Sequence, residues 1–168
     1  VATVERLATA AGVRPVVAPY AVTRRVGEVT LQVLWPPPTQ PRVGPGDGST
    51  ANDASVVMLA TVRGVRLLLT GDIEPRSQEA LARSLTGLRV DVLKVPHHGS
   101  RFQDREFLTS LRARVALVSA GADNDYGHPP EETLEPLRET GAQVLRTDLD
   151  GDLLVVEREG RISTRTSR

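Results

Sequence analysis

Alternation of apolar and polar residues along the chain predicts most of its strands. The stretch "EVTLQVLWPP" alternates polar and apolar residues over 28–33, which predicts a half-buried strand that ends at the prolines. In "SVVMLATVRGVRLLLTGD" two apolar runs flank Arg63 and Gly64, so a β-hairpin is expected there. Further strands are predicted for "VDVLKV" (90–95), "ARVALVSAG" (113–121), "QVLRT" (143–147) and "GDLLVVERE" (151–159).

Between these strands the apolar residues recur at helical spacing. The N-terminal "VATVERLATAAGV" predicts an amphipathic helix that stops near Gly12. Helices are also predicted for "EPRSQEALARSL", which has Pro75 in its first turn, for 104–111 and for 129–141. A hairpin followed by strand–helix alternation indicates an α/β layered domain with a mixed sheet.

We interpret residues 1–168 as a single domain. Residues 36–54 form a long Pro/Gly-rich loop, which is either a mobile flap near a site or a tolerated insertion. The tail 160–168 is expected to be frayed. Because the chain begins at Val1 without an initiating Met, we expect it to be part of a longer protein.

Composition excludes several classes of function. The chain has 168 residues and no cysteine, so disulfides and thiolate metal sites are excluded. Its 21 basic and 21 acidic residues balance, whereas proteins that wrap duplex DNA usually carry a basic excess. Two Phe, two Tyr and one Trp are too few for the aromatic platforms of a typical single-strand binder. No glycine-rich phosphate loop, dinucleotide fingerprint or GxSxG nucleophile motif is present.

The candidate chemistry lies where predicted strands end. Asp72 follows "VRLLLT", His97 and His98 follow "VDVLKV", and His128 follows "VALVSAG". Each has a structural alternative: Asp72 as a turn or helix-capping residue, the histidines as packed turn residues. Imidazole and carboxylate groups bind divalent metals, and imidazole also transfers protons near neutral pH. Metal chemistry through Asp72 and the histidine pair is therefore the best-supported enzymatic interpretation.

The two adjacent histidines of "PHHGS" raise a geometric problem. Neighbouring side chains in an extended segment point to opposite sides, so both could bind one metal only if the backbone turns there. One metal ligand and one supporting or substrate-facing histidine is the division we favour. Ser100 lies beside them, although sequence neighbours rarely form a catalytic dyad.

Several of these motifs occur together and in a recognisable order. "LLLTGDIEPRSQEAL", "VDVLKVPHHGSR", "NDYGHP" and "RTDLDGDLLV" resemble the C-terminal metallo-β-lactamase-fold domain of ComEC-type competence proteins, over roughly residues 28–157. The resemblance implies part of a four-layer αββα sandwich with mixed sheets and flanking helices. It also implies a role in DNA uptake, by metal-dependent hydrolysis that degrades the non-transported DNA strand.

On that resemblance Asp72 would be an acidic ligand that bridges two metals, and His97, with His98 as second choice, a terminal ligand. All three would be catalytic. Asn52, Ser100 and His128 would contact phosphate or support the ligands. Manganese or zinc is expected, and no small-molecule cofactor. The HxHxDH motif that supplies most ligands in this fold is absent from the sequence. Metal is therefore expected only where upstream ligands are present, and the isolated chain should be inactive.

Two alternatives remain. One is a degenerate, non-catalytic domain that binds DNA or docks to a membrane transporter, with Arg24–Arg25 and Arg101/Arg105 as a basic strip beside the histidines. The other is a phosphodiesterase or lactonase on the same fold. The resemblance places the parent protein in the bacterial cytoplasmic membrane, with this domain soluble on its outer face. Its expected partners are DNA, bound weakly, and the rest of a polytopic uptake protein.

Overall fold

The computed structural model describes residues 2–39 and 48–168. The helices are α1 (Ala2–Ala10), α2 (Gly48–Asp53), α3 (Pro75–Ser84), α4 (Arg105–Ser110), α5 (Glu131–Glu139) and α6 (Thr147–Asp150), with a 3-10 turn at Pro96–Gly99. The strands are β1 (Thr23–Val26), β2 (Val29–Trp35), β3 (Val57–Val62), β4 (Val65–Leu69), β5 (Val92–Lys94), β6 (Val115–Val118), β7 (Gln143–Arg146), β8 (Leu153–Arg158) and β9 (Arg161–Thr166).

Seven strands form one mixed sheet in the same order as they occur in the sequence, β1 to β7. The first four strands pair antiparallel, and β4 to β7 pair parallel. The predicted hairpin joins β3 to β4 through Arg63 and Gly64, whose φ angles of 48° and 82° are those of a tight two-residue turn. The mixed sheet expected from the sequence is therefore confirmed.

Helices α3, α4 and α5 connect the parallel strands and cover one face of the sheet. Leu81 of α3, Phe107 of α4 and Leu134 of α5 are fully buried and share one apolar cluster with Leu68 and Leu93 of the sheet. Burial of a side chain of this size is worth about 1.5–3 kcal/mol. This helical layer thus holds the strand ends in place.

A buried glutamine ties two of these helices together. Gln78 of α3 is fully buried; its amide donates to the carbonyl of Ile73 at 2.7 Å and to the side chain of Gln103 at 2.9 Å. Its own Oε1 accepts from the backbone N–H of Asp104, the residue that caps α4, at 2.7 Å. The polar groups of this side chain are therefore satisfied inside the core.

The other face of the sheet packs against a separate two-stranded sheet made of β8 and β9. Leu153, Val155 and Ile162 of this hairpin pack against Val92 and Val115. The described residues thus form three layers, helices on a seven-stranded sheet on a two-stranded sheet. This agrees with the predicted α/β class and with part of the four-layer arrangement that the resemblance implies.

Some elements differ from the sequence prediction. The expected frayed tail at 160–168 is wrong, because Arg161–Thr166 pairs with β8 along its whole length and buries part of Ile162. Of the predicted loop 36–54, residues 40–47 lie outside the described residues, and Gly48–Asp53 is helix α2. Helix α1 forms as predicted, but Val4 and Leu7 on its apolar face are 66% and 57% exposed.

Across residues 2–39 and 48–168, no helix is long and apolar enough to cross a membrane.

Candidate functional site

The residues that follow β4, β5 and β6 enclose a cleft of about 420 Å³. Since β4 to β6 run parallel, their carboxyl ends lie at one edge of the sheet, where α/β proteins commonly bind ligands. Gly71 adopts a positive φ of 58° and turns the chain after β4. The cleft is lined by Asp72, His97, His98, Ala120, Gly121, Asn124, Tyr126 and His128.

The backbone does turn at the histidine pair. His97 (φ 47°, ψ 49°) and His98 (φ 54°, ψ 21°) are both left-handed, a conformation that costs a non-glycine residue about 1–2 kcal/mol. Two hydrogen bonds support it: the His97 N–H donates to the Gly71 carbonyl at 3.2 Å, and the Ser100 N–H donates to the His97 carbonyl at 2.8 Å. This turn places both imidazole rings on the cleft wall.

His98 faces Asp72. Its Nδ1 lies 2.7 Å from the carbonyl oxygen of Ser119, and because a carbonyl only accepts, Nδ1 carries the proton of that hydrogen bond. In the neutral ring Nε2 then has a free lone pair, which lies 3.7 Å from Asp72 Oδ1. Two electron-pair donors therefore face each other across the cleft.

His97 lies against a different carboxylate. Its Nδ1 is buried, has no hydrogen-bond partner and lies 3.6 Å from Oε1 of Glu74, which is too long for a hydrogen bond. Asn52 donates to the same Glu74 oxygen at 2.8 Å and so holds the carboxylate behind the ring. The carboxylate thus lies on the buried side of the ring without a hydrogen bond to it, and Nε2 is the nitrogen left for a ligand.

A lysine occupies the other side of Asp72. The Nζ of Lys94 donates to the Gly71 carbonyl at 2.9 Å and lies 3.4 Å from Asp72 Oδ1. Burial lowers the pKa of Lys94 below its ordinary value because the ammonium loses solvation, and the Asp72 carboxylate offsets part of that effect. Asp72 is thus already paired with one fixed cation.

His128 closes the far side of the cleft. Its backbone is bracketed by Asn124, whose Oδ1 accepts from the His128 N–H at 3.0 Å and whose Nδ2 donates to the His128 carbonyl at 2.9 Å. The pKa of His128 is lowered, first by burial and then by the neighbouring His97, His98 and Arg101. The imidazole therefore favours the neutral form.

Two ring contacts join His128 to the rest of the cleft. The centroid of its imidazole ring is 5.9 Å from that of the His97 ring, in an edge-to-face arrangement. The ring of Tyr126 stacks on the same imidazole, with the centroids 5.8 Å apart and the planes 22° apart.

The structure brings together four of the six candidate residues. Four of them line the cleft: Asp72, His97, His98 and His128. Asn52 does not line it and instead donates a hydrogen bond to Glu74, which lies behind His97. Ser100 is 1% exposed and its hydroxyl accepts from the Phe102 N–H at 3.2 Å, so it supports the turn and does not face the cleft.

Of the four arginines predicted to form a basic strip, Arg101 alone lies near the histidines, where it contributes to the lowered pKa of His128. Arg24 and Arg25 lie in edge strand β1, three strands from β4. Arg105 is paired with Glu139.

Three residues of the site were missed from the sequence. Lys94 is the single lysine of the sequence, and its position in a strand gives no sign of where the side chain ends. Glu74 is the first residue of the predicted helix "EPRSQEALARSL", and an acidic residue is common at a helix start. Tyr126 was a single aromatic residue in a polar loop.

The donors present match part of a metal site. Two ligands bound to one ion at about 2.0–2.1 Å in tetrahedral geometry lie roughly 3.4 Å apart, close to the 3.7 Å between Asp72 Oδ1 and His98 Nε2. A complete site needs at least one more protein ligand. Among the described residues no group of three or more His, Asp or Glu could hold a metal. Within the described residues, the spacing of Asp72 and His98 is thus that of two ligands of such a site.

Comparison with known sequences identifies homologues. No protein-family profile matches the chain. It is 35% identical over 108 residues to ComE operon protein 3 of Bacillus subtilis (strain 168) and 36% identical over 104 residues to competence protein ComA of Neisseria gonorrhoeae, covering 64% and 61% of this chain. It is 33% identical over 118 residues to recombination protein 2 of Haemophilus influenzae, covering 70% of this chain.

A solved structure shares the fold. A protein of Parabacteroides distasonis, named as an inferred metal-dependent hydrolase, matches 86% of this chain and 62% of its own with a TM-score of 0.50 and 15% identity. The chain spans only 14–15% of the length of the three curated relatives. It is thus a homologue of a segment of the ComEC-type competence proteins, as the motifs around Asp72, His97 and His128 indicated.

Proposed function

We propose that this domain takes part in metal-dependent phosphodiester hydrolysis of DNA during bacterial DNA uptake, and that it contributes Asp72 and His98 to the metal site. The observation that carries the proposal is the Ser119 hydrogen bond. It fixes the proton of His98 on Nδ1 and leaves Nε2 and Asp72 Oδ1 facing each other 3.7 Å apart. When the ring is neutral, neither atom can donate to the other, and the two acceptors can share a cation.

We infer that further ligands are supplied by another part of the protein. Within the described residues Asp72 Oδ1 and His98 Nε2 are the donors that face each other, and a catalytic ion needs about three protein ligands. A divalent ion, when bound, polarises a phosphate oxygen and lowers the pKa of bound water. As the relatives are competence proteins, we place the parent protein in the cytoplasmic membrane, with this domain on its outer face.

The other cleft residues have distinct parts in the proposal. Lys94 holds the Asp72 carboxylate and the Gly71 turn in position. His97 has the Glu74 carboxylate 3.6 Å from Nδ1 on its buried side and offers Nε2 as a further donor. His128, which favours the neutral form, is suited to accept a proton at the cleft.

Metal titration of the chain and its variants tests the assignment. Calorimetry with Mn²⁺ and with Zn²⁺ should show weak binding of one ion, which Asp72→Asn and His98→Gln each reduce at least tenfold. His97→Gln should have a smaller effect if His98 is the partner of Asp72. Asp152→Asn, an exposed carboxylate in a turn, is the matched control and should leave binding unchanged. Equal binding by the Asp72 variant and the native chain would refute the assignment.

A second candidate function is supported by the incomplete ligand set. A non-catalytic domain that binds DNA or docks to the transporter needs no metal, and Lys94 already places a cation 3.4 Å from Asp72. Under this function no metal binds at the cleft, and the Asp72 and His98 variants match the native chain in all metal titrations. A labelled DNA strand incubated with the chain and Mn²⁺ would then remain intact while still being bound.

A further inference from the structure

Tyr126 is the most exposed aromatic side chain at the cleft, and the fold gives it no packing role. It is 79% exposed, yet it lines the cleft and stacks on His128 at 5.8 Å with the planes only 22° apart. One face of the phenol ring is against the imidazole. An exposure of 79% therefore means that the opposite face is open to solvent.

The histidine beneath Tyr126 has contacts of its own. The backbone of His128 makes two hydrogen bonds with the Asn124 side chain, and its ring meets the His97 ring edge-to-face. These contacts restrain the residue on which the phenol ring stacks. An exposed aromatic ring at the edge of a cleft is an arrangement that proteins use to stack a flat ligand.

We propose that the Tyr126–His128 stack is a platform for one unpaired nucleobase, so that the cleft receives a single DNA strand and not an intact duplex. The proposal rests on DNA being the ligand of the cleft, as above. A base that is paired and stacked within a duplex has no free face, and it must leave the helix to lie on the tyrosine. Every base has a flat face, so one platform favours unpaired strands without selecting a sequence.

The few aromatic residues of the chain are compatible with a platform for a single base. Five aromatic residues are too few for an extended platform that stacks successive bases. A single platform needs only one of them, placed where the backbone of the strand passes Asp72 and His98. Arg101, which contributes to the lowered pKa of His128, adds positive charge on the same side of the cleft.

Binding of matched oligonucleotides tests the platform. Fluorescence anisotropy at low ionic strength, with EDTA present to prevent hydrolysis, compares a labelled 12-mer of thymidylate, the same 12-mer built from abasic residues, and a 12-base-pair duplex. The native chain should bind the thymidylate strand about tenfold more tightly than the abasic strand. Tyr126→Ser should remove this difference, and Tyr126→Phe, which keeps the ring, should restore it. Tyr20→Ser is the matched control, since Tyr20 is 41% exposed and away from the cleft.

A crosslinking readout tests contact directly. A strand that carries one 5-iodouracil should crosslink on irradiation to Tyr126, identified by mass spectrometry of the digested chain, and should not crosslink to Tyr20. Equal affinity for the thymidylate and abasic strands, with binding of both, would overturn the platform while leaving DNA as the ligand. Binding of none of the three DNAs would overturn the proposed function and the platform together.

Discussion

The substitution Gly99→Ala tests how closely the histidine turn is packed. Gly99 is buried and has a φ of +76°, and a Cβ added there would lie 2.7 Å from Cβ of Pro129 and 3.1 Å from Cγ1 of Val118. Neither neighbour has a flexible end that could move away. Pro129 follows His128, so any displacement of the proline is transmitted to the cleft.

The expected magnitude has two parts. A positive φ costs alanine about 1 kcal/mol relative to glycine. Overpacking against a rigid neighbour adds roughly 1–3 kcal/mol. Gly99→Ala should therefore lower the free energy of unfolding by about 2–4 kcal/mol, or the melting temperature by roughly 4–16 °C in a domain of this size.

The substitution Gly87→Ala measures the cost of the positive φ by itself. Gly87 has nearly the same φ, +80°, but an added Cβ would meet nothing within 4 Å. Urea unfolding of both variants, followed by far-UV circular dichroism, gives the steric part as the difference between them. If Gly99→Ala destabilised the protein no more than Gly87→Ala, the close contact between the histidine turn and Pro129 would be refuted.

Three further substitutions address other parts of the fold. Hydrogen bonding from Arg146 is the main reason that the pKa of Asp148 is lowered, so Asp148→Asn should cost about 1.5–3 kcal/mol at pH 7. That loss should shrink as the pH falls through the lowered pKa, because protonated Asp148 no longer stabilises the fold. Gln78→Met should cost about 2–4 kcal/mol in urea unfolding, since it leaves several buried polar groups unpaired. Thr147→Val removes both hydrogen bonds to the backbone of Ala120, at 2.9 and 2.7 Å, and should raise the hydrogen-exchange rate of the Ala120 amide at least tenfold.

Each of these has an outcome that contradicts it. A destabilisation by Asp148→Asn that is the same at pH 3 and pH 7 would show that its charge is not what stabilises the fold. A cost below about 1 kcal/mol for Gln78→Met would mean that water replaces the lost bonds. Unchanged exchange at Ala120, with Thr109→Val as the control on an exposed hydroxyl of α4, would show that β6 is held by its strand neighbours alone.

The sequence predicted the fold well where burial leaves a clear pattern. The strands from 29 to 158 and the helices at 75, 105 and 131 all form, because each buries one face or, in the parallel region, both. Strand β1 was missed, since "TRRV" is exposed along its length and carries no apolar alternation. The tail was misjudged for a similar reason: in β9 the partly buried positions alternate with exposed polar residues, and only Ile162 is apolar.

The site was predictable in its residues but not in its geometry. The predicted strand ends indicated Asp72 and the histidines as site residues. The different roles of the two histidines depend on distant residues: Glu74 lies 23 residues before His97, and Ser119 lies 21 residues after His98. A long side chain such as Lys94 gives no sequence sign of where its end will lie. Such contacts follow from three-dimensional packing, which local patterns do not encode.

The order of the seven strands has a consequence for how the protein folds. Every strand of the main sheet pairs with the strand that precedes it in the chain. The sheet can therefore grow one strand at a time, and no strand must wait for a distant partner, which favours rapid folding. Asp72 and His98 follow consecutive strands, and Ser119, which holds the His98 ring, follows the next one, so the two donors meet once β4, β5 and β6 have paired. During synthesis on the ribosome this half of the site would assemble before β7 and the β8–β9 hairpin have left the exit tunnel.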